Sequence, residues 1–346
     1  MPNLSRFSLL LLGACGAIEM PAHQTDAGMQ GSGSGSGACV PESDADLCAH
    51  ANATCEEVTA TDNCGQTRTA ACGTCGGTDA CVANSCQAPV CNSLSWPTQS
   101  LVTSLNDNAK QDAVLAISGD SKTVLTQRSS GTCGGFQLII ADSNGTALVP
   151  QSLAQNTMLQ GMRITQEATL TLTPDGLTII GVSTDGHSFL SSTRAAFGGT
   201  VFAAATGTDF ANLSVTGNAV LGSPVISADG LEFFYDVLGD GIYESVRASK
   251  NVPFPAGTKM PADIQTYGSV SGISSDRMTL FLGTNTFSTV VFTRKSVKEA
   301  FSNPNAPGNP PTGPGFRTRP SGDCQMVIAT STPGGCQAEE VATWSH

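Results

Sequence analysis

The chain has 346 residues, 40% of them apolar and only 13% charged, and its 28 acidic against 16 basic side chains leave a net charge of −12. That length allows two or three domains, and that apolar content a sizeable core. The acidic balance, with no basic stripe to offset it, excludes nucleic acid and anionic lipid headgroups as electrostatic partners.

At the N-terminus Arg6 precedes a short apolar run, Phe7 to Leu12, which is too short to span a bilayer as a helix and reads as a signal sequence. The run ends in Leu12-Gly13-Ala14-Cys15. This stretch resembles the bacterial lipobox, and the resemblance implies that residues 1–15 are a lipoprotein signal peptide whose Cys15 becomes the diacylated first residue of the mature chain. The alternative is a secretory signal cut after Ala17 with Cys15 incidental. Small residues around Cys15, and the even number of cysteines left without it, favour lipidation. Residues 16–38, with the Gly-Ser alternation at 31–37, predict a flexible tether. About twenty such residues hold the folded part of the chain about 25 Å from the membrane on average.

Thirteen cysteines minus Cys15 leave enough for six disulfides in an exported protein. Nine of them (Cys39, Cys48, Cys55, Cys64, Cys72, Cys75, Cys81, Cys86 and Cys91) fall in residues 39–91, a segment with no aromatic side chain. A segment with so little core has to be stapled, so 39–91 is expected to be a disulfide-rich module. Zinc is the alternative, since Cys72-x-x-Cys75 has ligand spacing and His50 lies upstream, but an oxidising compartment and the scatter of the other cysteines favour disulfides.

From residue 93 onward one pattern returns five times: Ser or Thr, any residue, then Asp, between two apolar runs. The aspartates are Asp120, Asp175, Asp229, Asp276 and Asp323, spaced by 55, 54, 47 and 47 residues, the length of a four-stranded propeller blade with its loops. Runs such as AVLAIS and ATLTLT precede them, and KTVLTQ, LTIIGVS, LEFFYDV and MTLFLG come after them. Each unit thus reads strand, turn, strand. In two units Gly follows Asp directly, the strongest two-residue signal for a tight hairpin turn. A third strand in three units ends near an arginine, Arg194, Arg247 or Arg294, 18 or 19 residues after the aspartate. Residues 93–346 are therefore expected to form an all-β, five-bladed β-propeller.

Thr173-Pro174-Asp175-Gly176 and Ser227-Ala228-Asp229-Gly230, each followed by an apolar strand, resemble the PD40 (WD40-like) repeats of TolB-like β-propeller proteins over about residues 105–346. The Asp box of sialidases, which places its glycine two positions after Asp, fits less well. The aspartates themselves are read as turn residues whose carboxylates accept backbone amides two positions on. The arginines are read as covering strand edges or pairing with carboxylates.

The last unit has no room for a fourth strand before His346, so the segment Ser93 to Leu105, with Trp96, Leu101 and Val102, is expected to supply its outer strand and close the ring. Closure suggests the bridges Cys91 to Cys324 and Cys133 to Cys336, with the other eight cysteines pairing among themselves. The competing set, Cys91 to Cys133 with Cys324 to Cys336, asks the ends of one seven-residue strand to meet across about 23 Å.

Chemical constellations are few. His23, His50, His187 and His346 form no pair at metal or triad spacing, and there is no phosphate loop or nucleophile elbow. Asp236, Asp240 and Glu244 match no standard calcium loop. The expected role is noncatalytic: a lipid-anchored cell-envelope scaffold, on the outer membrane or cell surface, presenting a propeller face to a protein or glycan. It takes no cofactor and no metal and meets the membrane through its anchor. The rivals are a propeller glycoside hydrolase or lyase, which needs carboxylates from different blades converging in the central opening, and a purely structural envelope protein.

Overall fold

In the computed structural model the described residues are 39–75, 80–87, 91, 96, 98–106, 112–129, 136–153, 159, 161–163, 169–283, 289–305, 316–331 and 341–345. Cys15, the tether 16–38, His23, His346, Cys133 and Cys336 lie outside them. The chain divides into two compact units, 1–41 and 42–346, and the second holds every helix and strand described below.

Its first part is the cysteine-rich module. A helix at Asp44–His50 starts where the Ser43 hydroxyl accepts the Asp46 amide at 3.2 Å, and the hairpins Glu57–Thr61 with Thr67–Ala71 and Ala80–Val82 with Ser85–Gln87 come next. Among the described residues its buried apolar cluster is Leu47, Cys48 and Ala70, with Val58 and Ala60 packed against it. Disulfides make up the deficit: Cys48 with Cys72, Cys55 with Cys81 and Cys75 with Cys86, while Cys64 is also disulfide-bonded. The thiolates a zinc ion needs are thus consumed. His50 pairs with Glu42 at 2.6 Å, and the sulfurs of Cys55, Cys75 and Cys86, within 4.8 Å of one another, belong to two disulfides. The module rests on the fourth blade, where the Cys81 amide donates to the Lys295 carbonyl and Glu56 meets Ser296 and Lys298.

The rest of the unit is a ring of five antiparallel sheets. Blade 1 comprises Asp112–Ile117, Thr123–Ser129, Phe136–Ser143 and Leu148–Ser152. Blade 2 has three strands, Leu170–Leu172, Thr178–Val182 and Phe189–Thr193, with the isolated bridges Ser191 to Thr206 and Arg194 to Phe202 along its outer edge. Blade 3 comprises Leu221–Ile226, Glu232–Val237, Gly241–Val246 and Thr258–Lys259. Blade 4 comprises Ser269–Ile273, Thr279–Gly283, Thr289–Thr293 and Ser302–Asn305. Blade 5 takes Phe316–Pro320, Met326–Ser331 and Val341–Ser345 from the end of the chain and Thr98–Leu101 from before blade 1. The last pairing runs antiparallel from Ala342 opposite Leu101 to Ser345 opposite Thr98. It removes the open edge of blade 5 and closes the ring.

The core is not one mass but five layers, one at each interface between neighbouring blades. Leu125, Ile140, Leu172 and Ile179 pack between blades 1 and 2; Ile180, Phe189, Phe233 and Tyr235 between blades 2 and 3; Phe234, Leu280 and Phe292 between blades 3 and 4; Phe281, Val327 and Ala342 between blades 4 and 5; and Val114, Val124, Ile328 and Val341 between blades 5 and 1. Each blade is apolar on both faces, which explains the near-continuous apolar runs of its second strands, such as the fully buried EFFYDV of blade 3.

Candidate functional site: the axial channel and the blade interfaces

All five Ser/Thr-x-Asp turns share one geometry. The aspartate Oδ1 accepts the hydroxyl two residues before it and the backbone amide two residues after it: Ser118 at 2.7 Å and Lys122 at 3.1 Å for Asp120, Thr173 at 2.6 Å and Leu177 at 3.0 Å for Asp175, Ser227 at 2.6 Å and Leu231 at 3.0 Å for Asp229. Asp276 and Asp323 repeat the pattern with Ser274 and Met278, and with Ser321 and Gln325. The residue after each aspartate is left-handed in every unit: Ser121 at φ 60°, Gly176 at 68°, Gly230 at 67°, Arg277 at 68° and Cys324 at 56°. The turn therefore imposes the backbone shape even where the sequence lacks the glycine that would adopt it without strain. A further copy, Ser183-Thr184-Asp185-Gly186, sits on the second turn of blade 2, where Asp185 accepts Ser183 and the His187 amide.

The middle residue of the motif is small in all five units, namely Gly119, Pro174, Ala228, Ser275 and Gly322, and all five line the axis. Here the turns bond to one another: Gly119 donates to the Pro174 carbonyl at 2.9 Å, Ser275 to Gly322 at 2.6 Å and Asp323 to Gly119 at 3.3 Å. A β-carbon on Gly119 would fall 2.9 Å from Cβ of Pro174. Size at this position is set by how closely the five turns converge.

Beyond this narrow end the inner strands enclose a cavity of about 520 Å³. Its wall is mainly apolar, with Leu115, Leu172, Val225 and Ile273 among its residues, and its polar members include Ser223, Ser271 and Arg319. Among the described residues three inner strands carry a bulge, between Val114 and Ala116, Gly222 and Val225, and Val270 and Gly272. Leu115, Ser223 and Ser271 occupy those bulges and are re-aimed into the channel. Arg319 reaches towards the carbonyls of Val270 and Ser271 from blade 5. Behind it Asp236 is buried, its Oδ1 without a hydrogen-bond partner among the described residues. Burial pushes that carboxyl up to about 6, with Ser269, Ser223, the Val270 amide and the Arg319 charge offsetting part of the effect.

Of the five repeat aspartates, Asp120, Asp175 and Asp323 border the cavity; Asp229 instead pairs through Oδ2 with Arg277 at 2.7 Å. Burial works against ionising Asp120 and Asp229, but the hydroxyl and amide donors of the turn outweigh it and hold both below the usual carboxylate range. Asp236, Asp240 and Glu244 do not converge as a calcium loop would require. Asp236 faces blade 4, Asp240 is bound by Lys259 at 2.5 Å, and Glu244 lies 3.5 Å from Arg294.

The three repeated arginines are buried between blades rather than spread over strand edges. Each donates Nε to the carbonyl of the left-handed residue in its own blade's turn: Arg194 to Gly176 at 3.0 Å, Arg247 to Gly230 at 2.8 Å and Arg294 to Arg277 at 2.9 Å. Each also lies over a phenylalanine seven or eight residues on, Phe202, Phe254 or Phe301. Two reach a carboxylate of the preceding blade. Arg194 grips both oxygens of Asp142 at 2.6 and 2.8 Å, and Arg294 both oxygens of Glu232 at 2.7 Å. Burial opposes ionisation of Asp142, yet the hydrogen bonds from Arg194 and Thr123 keep its pKa low. Asp142 and Glu232 carry no repeat signal in the sequence because they sit at different offsets, one on a third strand and one on a second.

No family model matches the chain, and no curated protein matches it in sequence. Among solved structures it is similar to a luciferin-regenerating enzyme (9% identity over 72% of this chain and 95% of that one, TM-score 0.39) and to the β-propeller domain of Myceliophteria thermophila Cps50 (Swd1) (10% identity, 67% and 83%, 0.34). An oligogalacturonate lyase in complex with manganese is comparable, at 9% identity over 72% and 98% with a TM-score of 0.36. At these identities the likeness does not extend to chemistry. The fold itself makes this chain a five-bladed β-propeller protein with a disulfide-rich N-terminal module.

Proposed function

We propose that the protein is a lipid-anchored component of a bacterial cell envelope whose propeller is a noncatalytic scaffold for binding a protein or glycan. The observation that carries this reading is that every repeat aspartate spends Oδ1 on its own turn, so the most regular acidic feature of the molecule builds the ring rather than a reaction centre. Its disulfides suit an exported protein. Among the described residues no helix is long and apolar enough to cross a membrane, and the anchor in this reading is Cys15. The PD40-like repeats support a kinship with TolB-like propellers.

The test is capture from envelope extracts with the purified chain, with identification of what binds and competition by free protein. A ligand that survives competition, or none at all, argues against the scaffold role. The anchor is tested separately with Cys15→Ala, which is expected to leave the detergent phase for the soluble fraction.

A glycoside hydrolase or lyase is the second reading, favoured by the approach of Asp120, Asp175 and Asp323 to one cavity from three blades. Turnover of acidic or neutral polysaccharides that disappears in Asp175→Asn, with folding intact, would establish it.

A further inference from the structure

The arginine clamps leave one interface incomplete. At the junction of blades 1 and 2 the seat opposite the arginine is filled by Asp142, whose Oδ1 also accepts the Thr123 hydroxyl at 2.7 Å. At the junction of blades 3 and 4 it is filled by Glu232. These two acids define two equivalent positions, the first residue of a second strand and the residue paired with it on the third: Thr123 opposite Asp142, and Glu232 opposite Val246. In blade 2 the same pair is Thr178 opposite Thr193, and their hydroxyls bond each other at 2.9 Å. Arg247 of blade 3 therefore faces a blade that offers no acid at either position.

Empty space marks the place. A pocket of about 230 Å³ opens there, lined by Thr178, Thr193, Gly230, Arg247 and Lys250 among others. Where a β-carbon on Gly176 would strike Thr123 of blade 1 at 2.5 Å, the nearest neighbours of one on Gly230 would be Lys250 and Arg247 of its own blade, at 3.3 Å and beyond. Arg247 is buried; Nε and Nη1 donate to the Gly230 and Val252 carbonyls, and Nη2 makes no hydrogen bond among the described residues. Among the described residues the nearest carboxylate, Asp209, stays 3.7 Å from Nη1 and is 53% exposed, outside the seat that Asp142 and Glu232 fill at 2.6 to 2.8 Å. The pocket wall carries two cations, Arg247 and Lys250, against two exposed acids, Asp175 and Asp209. Asp175 already has Oδ1 engaged in its turn.

We propose that this pocket is a receptor for a carboxylate borne by an acidic side chain of a protein partner, which takes the place that Asp142 and Glu232 hold in the neighbouring interfaces. A chain-borne carboxylate fits better than a free ion because Val252, whose carbonyl accepts Nη1 of Arg247, is 43% exposed and gives an apolar edge beside the guanidinium against which a partner packs. The inference rests on the scaffold reading above and names the partner's chemistry.

The probe is acetate, followed through the Nε–H resonance of Arg247 in the purified chain, then a short peptide with a central Glu and its Gln counterpart. Acetate shifts that resonance saturably in the parent chain. Thr193→Asp, which copies the Asp142 arrangement onto blade 2, abolishes the response and raises the melting temperature. Lys250→Ala, at an exposed position, weakens acetate binding about two- to five-fold. The Glu peptide binds more tightly than acetate, and the Gln peptide does not bind. No saturable shift in the parent chain, or an undiminished shift in Thr193→Asp, overturns the site; equal affinities of acetate and the Glu peptide overturn its assignment to a protein side chain. If Thr193→Asp loses acetate but still captures the envelope ligand, this site fails as the partner contact while the scaffold role stands.

Discussion

The indole nitrogen of Trp96 donates a 2.8 Å hydrogen bond to the carbonyl of Cys324, 228 residues further along the chain. Two more links tie the same ends together: the disulfide between Cys91 and Cys324, and the pairing of Thr98–Leu101 with Val341–Ser345. Trp96 is 1% exposed and packs with Phe281 and Val291 of blade 4 and Val327, Ala329 and Ala342 of blade 5. The carbonyl it binds belongs to the left-handed residue of the blade 5 turn, which in blades 2, 3 and 4 serves an arginine. The tryptophan is the closing blade's substitute for the clamp.

Trp96→Ala is accordingly expected to destabilise the chain by about 3–5 kcal/mol through lost packing and the unpaired carbonyl. Trp96→Phe keeps much of the packing and should cost clearly less. Denaturant titration measures both, and equal losses would argue that the packing is irrelevant and that the hydrogen bond carries the whole effect.

The Arg194–Asp142 clamp predicts strong coupling. Either Arg194→Met or Asp142→Leu alone leaves a buried charge without its partner and should cost about 3–5 kcal/mol. The double variant should cost much less than the sum of the two, and additivity in the cycle would sink the account.

The two classes of carboxyl respond oppositely to pH. Asp120, Asp142 and Asp229 are lowered, so the stability they contribute is present above about pH 4 and is lost as pH falls below it. Asp236 is raised to about 6, so its cost is absent below about pH 4, grows as pH rises and is complete above pH 6. A shift of that size corresponds to a loss on the order of 2–3 kcal/mol between pH 4 and 6.5. Asp236→Asn should flatten this window in midpoint-against-pH curves, leaving the smaller slope from Glu244, which burial and nearby Glu232 also raise.

The left-handed turn position gives a stabilising change and a destabilising one. Ser121 holds φ 60° without a glycine's freedom, so Ser121→Gly should gain about 0.5–1 kcal/mol. At Gly176 the φ of 68° and the 2.5 Å approach to Thr123 Oγ1 make Gly176→Ala costly. A rise in thermal midpoint for the first and a fall for the second is the expected outcome.

What the sequence alone determined is the local and periodic layer. A turn that satisfies its own aspartate within six residues leaves a readable motif, and its return at blade-length spacing specifies five blades because each unit must bury both faces against a neighbour. The need to fill the edge of the last blade pointed to the segment before blade 1, since an unfilled strand place is a chemical deficit visible by counting. Only the tertiary structure decided the rest. Asp142, Glu232 and Arg319 sit at positions with no common offset, so their meeting with partners on adjacent blades is a consequence of how sheets stack around the axis. The small middle residues of the motif carry no signal until five turns are brought against one another. The unmatched seat opposite Arg247 stands out only by comparison with two filled interfaces, and no spacing along the chain records an acid that the neighbouring blade does not carry.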